Sequence, residues 1–317
     1  QRINHEVFKD PQSLMVNLDR VTAHARAKLA ERGHRDITRR VLTIVKTRDN
    51  ELLAQDSHGN FWRTYFYIEG AKTHNVAGSA ALAFEAAKAF GQFQALLADF
   101  DGQSLSETIP DFHNTPSRYQ QFVAAVDADP KNRAGQVTDE IEFFTSNADI
   151  TSTLVSKLSS GDIPVRVTHN DTKINNVMID EDTNEGICVI DLDTVMPGSS
   201  LYDFGDLVRT STSPVAEDEK DLNKVMLQRP MFKALVEGYL RGCGDHLTKA
   251  ERDLLVFSGK LLAFEVGLRF LGDHLNGDLY FKVHRQHHNL DRCRTQIKLI
   301  ESIDWQSDEM QTIVDQA

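Results

Sequence analysis

The sequence predicts an α+β protein of two lobes, a small β-rich lobe followed by a large helical lobe that carries one short hairpin. β-Branched and aromatic runs, separated by turn residues, fill residues 41–70. A helical pattern rich in Ala and Leu begins near Ser79 and is interrupted by strand-like apolar runs only around residues 165–191. These observations predict lobes at residues 1–70 and 71–317, joined by extended chain at residues 67–70.

The first lobe is predicted to contain one helix and three strands. Apolar side chains at helical spacing from Leu14 to Leu29 follow Pro11 and Ser13, and the helix should end near Gly33. The runs VLTIVKT, ELLAQ and FWRTYFYIEG are separated by the turn residues RDN and SHGN. This pattern predicts a three-stranded antiparallel meander.

The second lobe is predicted to be helical on both sides of its hairpin. Helices are expected from residue 79, through residues 118–127 and 136–158, and again at 201–209 and 231–240. Thr248 and Glu251 have the spacing of a capping box, so a long helix should begin there. The pair Asn276-Gly277 should end it.

Composition restricts the partners. The formal charge of −12 over 317 residues argues against nucleic acid, which is bound mostly through a surplus of Lys and Arg, but leaves room for a nucleotide. Three widely spaced cysteines without a CxxC pair indicate reduced thiols in a cytoplasmic protein. No apolar run approaches about 18 residues, so no membrane association is expected. Nothing in the sequence indicates an oligomeric state.

The segment VTHNDTKINNVMIDEDTNEGICVIDLD, residues 167–193, has two competing interpretations. Asp180, Asp182 and Asn184 stand at alternate positions, as at the start of a calcium-binding EF-hand loop. That loop also needs a Gly at its sixth position, where this chain has Glu185, and it needs flanking helices rather than strands. A solvated hairpin turn is the better interpretation.

The second interpretation is a phosphotransfer site. Asp171 follows a strand in a loop, Asn176 comes shortly after it, and Asp191 closes the next hairpin. Phosphoryl transfer needs a carboxylate that accepts the proton of the acceptor hydroxyl, and oxygen ligands that hold Mg²⁺ on the nucleotide phosphates. Carboxylate and amide oxygens are suitable Mg²⁺ ligands. The hairpin would bring these three side chains to one place.

These residues resemble a family. HNDTKINN resembles the catalytic loop H-x-D-x-x-x-x-N of protein-kinase-like phosphotransferases, and IDLD is similar to the metal-binding strand end of aminoglycoside phosphotransferases and choline kinases. Longer segments resemble the bacterial N-acetylhexosamine 1-kinases: RVTHNDTKINN, IDLDTVMPGSSLYDFGDLVR, FSGKLLAFEVGLRFL, GDLYF and NLDRCRTQIKL. The resemblance implies a bilobal protein-kinase-like fold. It also implies that ATP and Mg²⁺ are used to phosphorylate N-acetylglucosamine or N-acetylgalactosamine at the anomeric hydroxyl.

The resemblance also implies roles for individual residues. Asp171 would take the proton from the sugar O1, and Lys173 would neutralise the γ-phosphoryl group. Asn176 and Asp191, assisted by Asp193, would hold Mg²⁺. The sugar and nucleotide contacts implied in the same way are Arg269 and Tyr280 for the sugar, the backbone of Tyr67, Ile68 and Glu69 for adenine, and Arg2 as the cation nearest the α- and β-phosphates.

Other interpretations remain. Arg269 follows Glu265 at the i,i+4 spacing of a surface ion pair. His169 is expected to brace the loop, and Asp203, which begins a DFG tripeptide, to support it through backbone hydrogen bonds. The resemblance implies a first β-hairpin over the ATP phosphates, and the sequence begins after it; without that hairpin, ATP binding should be weak. A kinase of another small hydroxyl compound (an aminoglycoside, choline or a muramic-type sugar) and a nucleotide-binding pseudokinase are the alternative functions.

Overall fold

The computed structural model describes residues 1–317 and is mostly helical, with short strands, so the predicted α+β class is confirmed. The helices are α1 (Pro11–Glu31), α2 (Ile37–Arg40), α3 (Ala80–Leu96), α4 (Thr115–Ala128), α5 (Thr138–Ser146), α6 (Thr153–Ser160), α7 (Ser200–Ser211), α8 (Arg229–Cys243), α9 (Lys249–Arg252), α10 (Leu255–Asn276), α11 (His288–Trp305) and α12 (Ser307–Gln316). The strands are β1 (Ala54–Gln55), β2 (Phe61–Trp62), β3 (Ala71–Lys72), β4 (Arg166–Thr168), β5 (Val177–Asp180), β6 (Gly186–Val189) and β7 (Met196–Gly198). They form the sheets β1-β2, β3-β5-β6 and β4-β7.

The chain divides into two compact units that are each built from separate stretches. The first unit comprises Gln1–Pro110, Val165–Asp203 and Ala234–Thr248, and the second comprises Asp111–Pro164, Phe204–Lys233 and Lys249–Ala317. Residues 71–110 therefore belong with residues 1–70. The lobe boundary near residue 70 stays a prediction from sequence, because these units are divided at other points.

The predicted three-stranded meander is wrong in its strand pairing. The first run pairs with the third, through Ile44 and Tyr65, and only the second and third runs pair as predicted. Residues 61–66 run antiparallel to two other segments, one near Ile3 and one near Val45. Ile3 N donates to Phe61 O at 2.8 Å, and Val45 N donates to Thr64 O at 2.8 Å. Only β1 and β2 form a regular ladder, two residues long on each strand. Turns at Asp56 and near Thr47 interrupt the runs, because both carboxylate and hydroxyl side chains there accept backbone N–H groups.

Helix α1 forms where the sequence predicts it. The side chain of Asp10 accepts the N–H of Ser13 and caps the N-terminus. The buried face of the helix consists of apolar residues at helical spacing, including Leu14, Leu18 and Val21.

A helix begins directly after Thr248, as predicted, but it does not continue as one long helix. The structure has a short helix, α9, and then a separate helix, α10. Leu254 N donates to Glu251 O and Asp253 N donates to Lys249 O, so the first turn closes before the longer helix begins. The end is as predicted, since Gly277 has a φ of 102°, which suits glycine at a helix C-terminus.

The calcium-like segment is a hairpin turn between β5 and β6. Asp180 Oδ1 accepts the N–H groups of Asp182 and Thr183 at 3.0 and 2.8 Å. Asp180 Oδ2 lies 2.9 Å from Arg39 Nη2, and Arg39 also donates to the carbonyl of Glu69. Both oxygens of the Asp180 carboxylate therefore bind other groups of the protein, as expected for a hairpin turn.

None of the helices combines the length and the apolar character that crossing a membrane requires.

Candidate active site

The loop after β4 is held by a buried carboxylate. The N–H groups of His169 and Asn170 donate to Asp203 at 3.0 and 2.8 Å, and Gln94 Nε2 donates to the same carboxylate at 2.8 Å. Burial raises the pKa of Asp203, while these hydrogen bonds act in the opposite direction. Asn170 has a φ of 64°, a left-handed conformation that the two backbone hydrogen bonds help to fix. Asp203 thus supports the loop, the role that the resemblance implies for it.

His169 connects the loop to the end of the hairpin. Its Nε2 lies 2.8 Å from the carbonyl oxygen of Ile190, and its Nδ1 lies 3.3 Å from the N–H of Asp171. A carbonyl only accepts and an N–H only donates, so these contacts assign the ring proton to Nε2. The ring is fully buried against Phe90, with ring centroids 5.3 Å apart. These contacts are those of a bracing residue.

Asp171 lies between a lysine and an amide. Lys173 Nζ is 2.8 Å from Asp171 Oδ2, and Asn176 Nδ2 donates to the Asp171 carbonyl at 2.8 Å and to its carboxylate at 3.3 Å. About a third of each charged side chain is exposed, 33% for Asp171 and 36% for Lys173. The structure therefore brings together three residues predicted from one motif, with a carboxylate that a substrate can reach.

Asp191 follows β6 in a left-handed conformation, with a φ of 60°. Its pKa is raised, first by burial and then by the negative charges of Asp193 and Asp171. Ile190 N donates to Asn176 O at 2.9 Å. This hydrogen bond holds the backbone next to Asp191 close to that of Asn176, the other predicted Mg²⁺ ligand. A buried carboxylate near two others is an unfavourable arrangement that a cation would relieve.

These residues fit Mg²⁺ carried by a nucleotide. No group of three or more His, Cys, Asp or Glu side chains in the described chain could hold a metal by itself. Mg²⁺ in nucleotide sites is usually bound through one or two carboxylates together with the phosphates. The oxygens of Asp191 and Asn176 supply that smaller donor set.

Asp193, predicted as an assisting metal ligand, is engaged with a cation that the sequence analysis missed. Its Oδ1 lies 2.5 Å from Arg63 Nη1, in an ion pair that is not aligned as a hydrogen bond. The Arg63 guanidinium also lies 5.2 Å from the ring centroid of Tyr65. The hydroxyl of Tyr65 is buried and without a hydrogen-bond partner.

A cavity of about 580 Å³ in the first unit contains Asp191 and Asn176 in its wall. Tyr67 and Ile68, predicted to meet adenine, also line it, and Tyr67 is 84% exposed. Two predicted nucleotide contacts are placed elsewhere. Glu69 is not in the wall, and its carbonyl accepts from Arg39. Arg2 is exposed and is not in the wall either; the cation there is Arg63. The remaining lining residues are Gln1, Leu42, Thr64, Tyr65, Phe66, Met178 and Ile190.

The second unit holds Arg269 and Tyr280 in the wall of a cavity of about 170 Å³. The Arg269 guanidinium lies 5.7 Å from the ring centroid of Tyr280 and 5.4 Å from that of Phe112. Glu265 is not its surface partner, because that carboxylate is fully buried and lies 2.7 Å from His113 Nδ1. The i,i+4 surface-pair interpretation is therefore wrong.

A second cation, Arg118, lines the same cavity. Its pKa is lowered by burial and by the positive charge of Arg269, so the two guanidinium groups lie close enough to repel each other. Arg118 Nε donates to the carbonyl of Phe112 at 3.1 Å. Sequence reasoning missed Arg118, since a charged residue on an amphipathic helix usually faces solvent.

The loop that carries Tyr280 is held by one carboxylate. Asp273 accepts the N–H groups of Leu279, Tyr280 and Phe281 at 2.8, 2.8 and 3.0 Å. Asn289 Nδ2 donates to it at 2.9 Å. Asp273 is largely buried near the end of α10 and was not identified from the sequence.

Comparison with known proteins gives a family match and related solved structures. Residues 19–230 match the family model described as the phosphotransferase enzyme family, APH. An aminoglycoside phosphotransferase from Alicyclobacillus acidocaldarius superposes with a TM-score of 0.62 at 12% identity, covering 96% of this chain and 85% of that one. A microcompartment-associated aminopropanol kinase gives 0.59 at 16% identity, covering 95% and 83%. An ethanolamine kinase from Plasmodium vivax gives 0.50 at 13% identity, covering 88% and 72%.

At these identities, the likeness to solved structures establishes the fold alone. The predicted protein-kinase-like fold is confirmed. The family match contains Asp171, Asn176 and Asp191 but ends before Arg269 and Tyr280. The cavity of the second unit therefore has to be interpreted from its own residues.

Proposed function

The chain belongs to the phosphotransferase enzyme family, and we propose that it transfers the γ-phosphoryl group of ATP to the anomeric hydroxyl of an N-acetylhexosamine. The products would be ADP and the sugar 1-phosphate. The observation that supports this proposal most is the accessible carboxylate of Asp171, 2.8 Å from Lys173 Nζ and bound by the amide of Asn176. This is the arrangement that phosphotransfer to a hydroxyl requires.

Asp171 would act on the acceptor hydroxyl. As the bond between the sugar O1 and the γ-phosphorus forms, the bond from that phosphorus to the β–γ bridging oxygen breaks and ADP leaves. The hydroxyl proton passes to the Asp171 carboxylate. The hydrogen bonds of His169 and Asp203 fix the loop in advance, so Asp171 is positioned before the substrates bind.

Lys173 would place a positive charge beside the transferred group. Its ammonium already lies against Asp171, on a side chain that remains partly exposed. Asn176 and Asp191 would hold Mg²⁺, which when bound neutralises charge on the nucleotide phosphates. Asp193 would help to position Asp191, because its ion pair with Arg63 holds the turn that follows Asp191.

The nucleotide would occupy the cavity of the first unit. Its volume of about 580 Å³ lies within the range of small-molecule sites. Leu42, Met178 and Ile190 give it apolar walls suited to a purine, and the chain at Tyr67 and Ile68 offers backbone groups to the base edge.

The acceptor would be a neutral polyhydroxy compound. Arg118 and Arg269 place two positive charges at the cavity of the second unit, against the single carboxylate of Asp273, whose oxygens already accept hydrogen bonds from the protein. This positive balance disfavours an ammonium-bearing acceptor. Guanidinium groups donate several hydrogen bonds, and sugar hydroxyl and acetamido oxygens accept them. Tyr280 and Phe281 add aromatic surface to the same wall. These features support a sugar over choline or an aminoglycoside.

Phosphorus NMR of the reaction products tests the proposal. The protein would be mixed with MgATP and, separately, N-acetylglucosamine, N-acetylgalactosamine, glucose, choline and an aminoglycoside. A phosphate signal coupled to the anomeric proton of an N-acetylhexosamine is expected. A sugar 6-phosphate or phosphocholine would show that the protein is a phosphotransferase but would overturn the proposed transfer to the anomeric hydroxyl. Nucleotide binding without any product would favour a pseudokinase.

A further inference from the structure

A second cavity of the first unit is lined in part by β6, through Ile187, Cys188 and Val189. It has a volume of about 100 Å³ and lies between helices α1 and α3. Val21, Ala25 and Leu29 line it from one face of α1, and Phe93 lines it from α3. Protein interiors are normally packed without such gaps, because an apolar wall without partner atoms loses dispersion energy.

The mouth of this cavity is basic. Arg32, His34 and Arg40 are among the lining residues, which include no Asp or Glu, although the chain carries a net charge of −12. Arg40 Nε donates to Asp36 at 2.8 Å, so its charge is partly offset. Arg32 is exposed at the end of α1 and supplies the main unoffset charge.

The two cavities of this unit share a wall. Val41 and Val189 are joined by a β-bridge, and both line the basic cavity. Their neighbours Leu42 and Ile190 line the nucleotide cavity. Successive side chains of extended chain point to opposite faces, so one pair of segments separates the two cavities. Leu192, which follows Asp191, also lines the basic cavity.

We propose that this basic cavity binds a small amphipathic anion, a carboxylate or phosphate head on a short aliphatic tail, and that its occupancy changes the affinity for nucleotide. The tail lies between α1 and α3 and the head lies at Arg32 and His34. An apolar cavity of about 150 Å³ in another protein takes up benzene, so the smaller volume here suits a short chain.

The effect on nucleotide follows from the shared wall. An occupant pressing on Val41 and Val189 displaces the segments that carry Leu42 and Ile190 on their other face, and Asp191 follows Ile190 directly. The coupling is reciprocal, so nucleotide changes the affinity for the anion by the same factor. This part rests on the proposed nucleotide site, whereas binding of the anion does not.

Hexanoate is the probe, with hexan-1-ol and hexylamine as controls for charge. Binding is followed by NMR of the protein with ¹³C-labelled Leu, Val and Ile methyl groups. Saturable shifts at Val21, Leu29, Ile187 and Val189 are expected for hexanoate, with roughly tenfold weaker binding of hexan-1-ol, a difference of about 1.4 kcal/mol. Equal affinity for the alcohol, no saturable binding, or shifts confined to other methyl groups would each overturn the proposal.

Two variants locate the site. Arg32→Gln should weaken hexanoate binding at least several-fold, while Arg35→Gln, an exposed arginine of the same segment that does not line the cavity, should not. Ala25→Leu should fill the cavity and abolish binding. Arg32→Gln binding as tightly as the unaltered protein would contradict the role of the basic mouth.

Coupling is measured separately, as the Kd of MgADP with and without saturating hexanoate. A change of at least about twofold in either direction is expected. An unchanged Kd would overturn the coupling and leave the anion site standing. No MgADP binding under either condition would refute the proposed function instead, because the methyl shifts do not depend on it.

Discussion

Arg63 Nη1 lies 2.5 Å from Asp193 Oδ1, and the two side chains are only 2% and 13% exposed. This buried ion pair joins the chain directly after β2 to the turn that follows Asp191. Gln1 Oε1 accepts a further hydrogen bond from Arg63 Nε at 3.1 Å. Arg63 thus compensates one carboxylate of the acidic group and lines the proposed nucleotide cavity.

Arg63→Met should destabilise the protein by about 3–5 kcal/mol, because it leaves Asp193 buried without its counter-charge. Urea unfolding measures the change. The double variant Arg63→Met with Asp193→Asn removes both charges and should recover part of the loss. A cost below about 1 kcal/mol would show that the pair behaves like an exposed salt bridge.

Asp180 should make stability depend on acid pH. Hydrogen bonds from Thr183 N–H, and then from Arg39, lower the pKa of Asp180 from 3.8 to about 2 in the folded protein. A lowered pKa means that the unfolded chain binds the proton more tightly, so this stabilisation is present above about pH 4 and is lost as pH falls towards 2.

The urea midpoint of Asp180→Asn, measured between pH 5 and pH 2.5, should therefore approach that of the unaltered protein as pH falls. Asp182→Asn is the matched control, because that exposed side chain lies on the same turn. If the difference in urea midpoint between Asp180→Asn and the unaltered protein stayed constant over this pH range, the lowered pKa of Asp180 would be contradicted.

Asp273 should control the acceptor site through the backbone. Asp273→Ala leaves three N–H groups of residues 279–281 without the acceptor that holds this exposed loop in place. Displacement of Tyr280 should raise the KM for the sugar roughly tenfold, with the KM for MgATP unchanged.

Steady-state kinetics with each substrate varied separates these effects. Asp273→Asn keeps an acceptor oxygen and should lie between the alanine variant and the unaltered protein. Asp253→Asn, at an exposed position in the same unit, should change neither KM. Equal increases in both KM values would indicate a general loss of structure rather than positioning of Tyr280.

The catalytic loop and its hairpin could be predicted because their residues are close in the sequence. Asp171, Asn176 and Asp191 are separated by one short loop and one hairpin, so local pattern sets their proximity. The break between α9 and α10 could not be predicted, since neither Gly nor Pro marks it.

The cation Arg63 was missed because contacts between distant segments place it. Residues 1–3 pair with residues 61–63, and side chains alternate along extended chain. This pairing places Gln1 and Arg63 in the cavity wall and leaves Arg2 out of it. The pattern of one strand shows which residues share a face. It does not show whether a cation on that face is buried. That depends on a carboxylate from elsewhere in the chain, here Asp193.

The turnover of Asp171→Asn with MgATP and an N-acetylhexosamine shows whether Asp171 is the proton acceptor. Loss of a positioned proton acceptor should lower kcat by about 10²–10⁴-fold. The Kd for MgADP should stay within about twofold of the unaltered value, and Asp162→Asn, an exposed aspartate ahead of β4, should be fully active. Undiminished turnover in Asp171→Asn would contradict the account.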